Sequence, residues 1–144
     1  RGVHFADVPR GQAKYVTAVR GAALDFAIDI RVGSPTFGQW DSVLLDTVDR
    51  RAIYLGEGLG HAFVALEDDT TVSYLVSDVY NPAAEHGIDP LDPVIGLEFP
   101  LPPEDLVLSA KDTDAPRLNE AAAAGLLPRF DEVQAYLRSL EDAG

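Results

Sequence analysis

Three histidines (His4, His61 and His86) and two lysines (Lys14 and Lys111) stand out in a 144-residue sequence with no cysteine and no methionine. An imidazole, with an ordinary pKa of about 6.5, suits reversible proton transfer near neutrality. The missing cysteines exclude disulfides, zinc-thiolate sites and a thiol nucleophile. The histidines are far apart and form no H-x-H pair, so no metal site is expected. Lys14 opens the strand-like run Ala13-Lys14-Tyr15-Val16. A strand lysine in an acidic protein is either a solvated edge charge or a ligand for an anion.

Tyr74 shares a strand face with Val72 and Val76, so its ring is expected to be buried. Such a tyrosine is core, unless its hydroxyl faces a cavity and can act as an acid. His61 alternates with Phe63 and Ala65 and by itself reads as a hydrogen-bonded structural histidine. Asp25 reads as a solvated charge on an outer strand face, and His4 as a core or surface residue at an apolar strand start. Taken singly, none of these residues assigns a function.

The elements that must carry them are mostly strands. Leu24, Phe26, Ile28 and Ile30 alternate with Asp25, Ala27, Asp29 and Arg31, the period of a half-buried strand. Gly33-Ser34-Pro35 breaks the run. Short aliphatic and aromatic runs follow at 40–46, 52–55, 61–66 and 71–76, separated by Gly56-Glu57-Gly58 and Glu67-Asp68-Asp69. That spacing predicts an antiparallel sandwich or barrel. Six prolines between Asn81 and Pro103 forbid regular helix and predict an irregular loop. The alanine-rich stretch 115–128 predicts one helix, and Phe130, Val133, Tyr136, Leu137 and Leu140 mark one face of a second.

Length suits one domain with one core. The formal net charge is -13, from 24 acidic residues against 11 Lys+Arg, a field that repels nucleic acid and anionic membranes. No apolar run approaches the ~20 residues of a membrane span. A cytoplasmic protein is expected, with no nucleic-acid or membrane partner.

In combination the motifs are more specific than their parts. Arg1-Gly2-Val3-His4-Phe5, Gln12-Ala13-Lys14-Tyr15-Val16, Asp29 to Gly38 and Glu57 to Phe63 occur in order. Tyr80-Asn81-Pro82, Glu85-His86-Gly87-Ile88, Asp92-Pro93 and Ser109-Ala110-Lys111-Asp112 follow. This series resembles the dTDP-4-dehydrorhamnose 3,5-epimerase family. The resemblance implies a mainly β, cupin-like jelly roll (a double-stranded β-helix) with C-terminal helices. It implies a homodimer, no metal and no other cofactor. The substrate it implies is a dTDP-4-keto-6-deoxyhexose, epimerised at C3, C5 or both.

Carried across by residue, the resemblance makes His4 the general base, Asp112 its carboxylate partner and Tyr74 the acid on the opposite face of the sugar. Lys14 becomes the cation that stabilises the enolate oxygen, with His61 beside it. Arg1 resembles a pyrophosphate ligand, Lys111 a phosphate-side cation, Tyr80 the thymine-stacking ring and Glu85 a nucleotide-side contact. Family members carry a further segment ahead of the position of Arg1, so residues 1–144 are expected to form a single epimerase domain without it. Alongside double epimerisation stand a single-centre epimerase of secondary metabolism and a non-catalytic jelly-roll binding protein. A metal-dependent jelly-roll oxygenase or isomerase is the remaining alternative.

Overall fold

The computed structural model describes residues 1–143. Its strands are β1 (His4–Ala6), β2 (Lys14–Arg20), β3 (Ala22–Asp29), β4 (Trp40–Asp46), β5 (Ala52–Leu55), β6 (Leu59–Ala65), β7 (Thr71–Val76) and β8 (Glu85–Gly87). They form a five-stranded sheet, β4-β3-β6-β1-β8, and a three-stranded sheet, β5-β2-β7. Every strand pair is antiparallel. The expectation of a mainly β jelly roll is met, and the strands at 40–46, 52–55 and 71–76 fall where the short apolar runs predict them.

The two sheets face each other. Val16 and Leu55 of the smaller sheet pack with Leu45 of the larger one, together with Ala27, Val43, Ile53 and Val72. Alternation then sends the other side chains of the large sheet outward, where Val3, Phe5, Phe26, Ile28 and Ile30 meet Ile88, Ile95, Leu118, Ala121 and Leu127. The chain from Ile88 onward therefore covers the outer face of the large sheet. That is why β3 is buried on both faces, although its sequence alternates.

Phe26 is the hub of this outer core, fully buried, with the rings of Trp40 and Phe99 edge-on at 5.5 and 5.4 Å. Phe26→Ala is expected to cost about 3–5 kcal/mol, read as a fall in the denaturation midpoint.

Three helices follow rather than two: α1 (Ala110–Thr113), α2 (Leu118–Ala123) and α3 (Phe130–Glu141). Helix α1 is only four residues long and has no apolar period to betray it. Ser109 caps it, accepting from the Asp112 amide. The proline-rich region holds one unforeseen strand, β8, and is tied to α2 by Asp92. That buried carboxylate accepts from the Val94 amide at 2.9 Å and the Leu118 amide at 2.8 Å. Helix α3 buries Val133, half-buries Phe130, Tyr136 and Leu137, and leaves Leu140 exposed.

The 29–38 motif is also structural. Asp29 accepts from the backbone and guanidinium of Arg31 and from the hydroxyls of Ser34 and Thr36. Burial alone would push this carboxyl up, but those donors hold it well below the usual carboxylate range. Arg31 then lies over the Phe130 ring at 5.0 Å and links the loop to α3. Among the described residues no helix is long and apolar enough to cross a membrane.

Candidate active site

The inner face of the large sheet brings His4, His61 and Asp25 together. His4 of β1 stands directly opposite His61 of β6, and β6 is also the neighbour of β3. Residues paired across strands share a face, so both imidazoles point to the space between the sheets. Glycine makes this close packing of β1 on β6 possible. Gly2 has φ +108°, and a Cβ there would sit 2.7 Å from the Ala62 Cα.

His4 Nε2 lies 2.6 Å from Asp112 Oδ1, while the Gly2 amide donates to Oδ2 at 3.4 Å. Asp112 is buried in α1 at 2% exposure, and the His4 side chain is 24% exposed. Burial pushes the Asp112 carboxyl up, but the His4 and Ser109 hydrogen bonds outweigh it and the net shift is downward. For His4, burial lowers the pKa and outweighs the opposing pull of Asp112. The positive charges of Lys111 and Lys14 lower it further. An ionised carboxylate can only accept, so neutral His4 must donate Nε2–H to it. Its Nδ1 lone pair is then free, which is the state a general base needs.

Lys14 lies on β2, the middle strand of the small sheet, so the edge-strand reading is excluded. Its side chain points inward beside Val16. Burial lowers its pKa, while the carboxylates of Glu85 and Asp25 oppose that shift. These charges put Lys14, Glu85, Asp25, His4 and Asp112 within one electrostatic neighbourhood. Tyr74 is paired with Val16 and faces the same side as Lys14. Its ring is 54% exposed rather than buried, because it lies beyond the dense packing around Val16 and Leu45.

The other candidates lie around this centre. Lys111 is exposed on α1, next to Asp112 in sequence. Arg1 and Asp112 both line an apolar cavity of about 290 Å³ walled by Phe63, Leu91, Phe99 and Leu106. His4, Lys14 and Tyr74 do not line that cavity, so its size is no guide to the chemistry. Glu85 lines a smaller polar cavity of about 260 Å³ with Gln12, Arg10, Asp78 and Asn81. Tyr80 is 65% exposed on the loop that follows β7. His86 is bonded to Asp7 at 2.8 Å, paired with Phe5 rather than with the inward-facing His4.

Two contributors escaped the sequence reading. Asp25 is fully buried and bonded to His61, where alternation had put a solvated outer charge. The period of two gives faces but not which face is wet. Gly2 acts through its amide, and only its place beside Val3 and His4 could have pointed to it.

The family model for dTDP-4-dehydrorhamnose 3,5-epimerase matches residues 1–120. The chain belongs to the dTDP-4-dehydrorhamnose 3,5-epimerase family. It is 61% identical over 140 residues to a dTDP-4-dehydrorhamnose 3,5-epimerase of Mycolicibacterium smegmatis, covering 97% of this chain and 68% of that protein. It is 54% identical over 135 residues to a dTDP-4-dehydrorhamnose 3-epimerase of Streptomyces niveus, covering 94% and 64%. Among solved structures, the rmlC epimerase of Mycobacterium tuberculosis superposes with a TM-score of 0.93 at 50% identity, over 96% of this chain and 70% of that one. The chain thus spans about two thirds of the length of these relatives. The mainly β fold and the isomerase family foreseen from the motifs are both upheld.

Within the family frame, the dyad makes a sharp pH prediction. Asp112→Asn removes the carboxylate charge and weakens the bond that together raise the His4 pKa, and leaves burial, Lys111 and Lys14 to lower it. The acid limb of kcat/KM is expected to move to lower pH. The rate should also fall, by up to about 10⁴-fold, because an amide no longer enforces the Nε2–H tautomer. A pH profile of both proteins checks this.

Proposed function

We propose that this protein epimerises dTDP-4-keto-6-deoxy-D-glucose at C3 and C5 to dTDP-4-keto-L-rhamnose. The observation that carries the proposal is the His4–Asp112 pair, a neutral base held by a buried carboxylate opposite a lysine-bearing strand. A proton beside a ketone is acidic because its loss gives an enolate, so the site must both take a proton and stabilise oxygen charge. His4 Nδ1 takes the proton and His4 becomes an imidazolium beside Asp112. Lys14 supplies positive charge where the enolate oxygen forms. Reprotonation from the opposite face inverts the carbon, and the inward-facing, partly exposed Tyr74 is the donor. His61 stands beside Lys14 at the sugar.

Arg1 and Lys111 supply charge to the pyrophosphate, Tyr80 stacks on the thymine, and Glu85 contacts the nucleotide side. The reaction needs no cofactor, and the working form is a homodimer. The substrate class is supported by the names of the relatives and by the family model.

A second reading, inversion at one carbon, is favoured by the 54% identity to a 3-epimerase. NMR of the product formed from dTDP-4-keto-6-deoxy-D-glucose separates the two. Inversion at C3 and C5 supports the first, inversion at one centre supports the second, and an unchanged sugar overturns both. Tyr74→Phe is expected to retain solvent exchange at the carbon facing His4 while inversion falls by at least tenfold. Deuterium incorporation compared with product configuration checks that separation.

A further inference from the structure

Asp25, the carboxylate of the second histidine–carboxylate pair, has no part in the chemistry above. Asp25 of β3 has 0% exposure, and its oxygens lie 2.8 and 3.0 Å from His61 Nε2. It stands opposite Phe63 of β6 and Val43 of β4, so it reaches His61 diagonally across the inner face. Among the described residues His61 is its only hydrogen-bond partner. The His61 ring is 8% exposed and rests 6.0 Å from the Phe63 ring, and its Nδ1 has no protein partner.

A buried polar pair of this kind is not needed for packing. Hydrophobic replacements of such pairs are often neutral or stabilising. A role in the site accounts for it better. The geometry repeats that of His4, where a carboxylate holds Nε2 and leaves Nδ1 free, and the two rings are cross-strand neighbours. The difference is depth: His61 is nearly enclosed, which suits holding an orientation more than ferrying protons.

We propose that Asp25 is a positioning residue that acts through His61, fixing Nε2–H on its carboxylate and leaving Nδ1 as the one polar atom His61 offers the substrate. The inference rests on the epimerase reading for its kinetic consequence, but not for its structural one. Without Asp25 the ring can turn over or change tautomer, and Nδ1 is no longer held ready to accept from a sugar hydroxyl. The charge of Asp25 also opposes the lowering of the Lys14 pKa, so the carboxylate acts on Lys14 as well as on His61.

Two measurements test this. Long-range proton–nitrogen NMR of the full wild-type chain should show His61 with its proton on Nε2 in the absence of any sugar. An Nδ1–H tautomer would overturn the proposal, whatever the reaction proves to be. In steady-state kinetics with dTDP-4-keto-6-deoxy-D-glucose, Asp25→Asn should lower kcat at least tenfold with KM within twofold. The double variant Asp25→Asn/His61→Ala should be no slower than His61→Ala alone. Wild-type kcat in Asp25→Asn, or losses that multiply in the double variant, would sink it. If wild type leaves the sugar unchanged, the epimerase reading fails while the tautomer still decides the Asp25–His61 assignment. Should Asp25→Asn not fold, the wild-type spectrum remains decisive.

Discussion

Replacing His4 with alanine is expected to abolish solvent exchange at both C3 and C5 while leaving the protein folded. The side chain is half-buried, and its one strong bond is to Asp112, so its loss opens the site without removing core. What disappears is the only imidazole whose environment fits it for proton abstraction. Burial and two nearby lysine charges favour the neutral ring, and Asp112 orders the tautomer. No other inward-facing group can substitute. Tyr74 is a weak base, and the His61 ring, 8% exposed against 24% for His4, is too enclosed to ferry protons. Exchange persisting at more than a few per cent of the wild-type rate, followed by NMR in deuterated water, would remove His4 from its role.

Lys14→Met is the second large effect expected, a fall of about 10²–10³-fold in exchange, equivalent to ~2.7–4 kcal/mol of transition-state stabilisation. Methionine keeps much of the apolar stem and deletes the charge. The lysine sits on the central strand of the small sheet, partly buried, so its charge is at the site before the enolate forms. Binding should suffer less than turnover, because the enolate exists only after proton removal. The sign of the pH effect follows from burial. The Lys14 pKa is lowered, so the wild-type alkaline limb should begin below the ordinary lysine range and vanish in Lys14→Met. Comparing kcat and KM across pH for the two proteins measures both effects.

Much of this arrangement was legible in the chain. Strand alternation in 24–30 placed β3, and the short apolar runs at 40–46, 52–55 and 71–76 placed three more strands. The site was legible only as an ordered set of motifs, since His4 read alone is an unremarkable histidine. Alternation failed where both faces of a strand are covered. Asp25 looks solvated in sequence but lies inside, because the small sheet closes over it. Tyr74 erred in the opposite direction, its ring standing at the open margin of the packed interior. The capped single turn that carries Asp112 has too few residues for any period to show. Its Ser109 cap and Lys111-Asp112 sequence were the usable signal.

The central claim is that His4, held by Asp112, removes a proton beside the ketone of the bound sugar. Its most direct test is deuterium wash-in from solvent into dTDP-4-keto-6-deoxy-D-glucose, followed by NMR as pH is raised. Wild type should take up label at C3 and C5, with an acid limb below the ordinary histidine pKa of about 6.5, and His4→Ala should take up none. An acid limb that survives unchanged in His4→Ala, or no label from folded wild-type protein that binds the sugar, would contradict it.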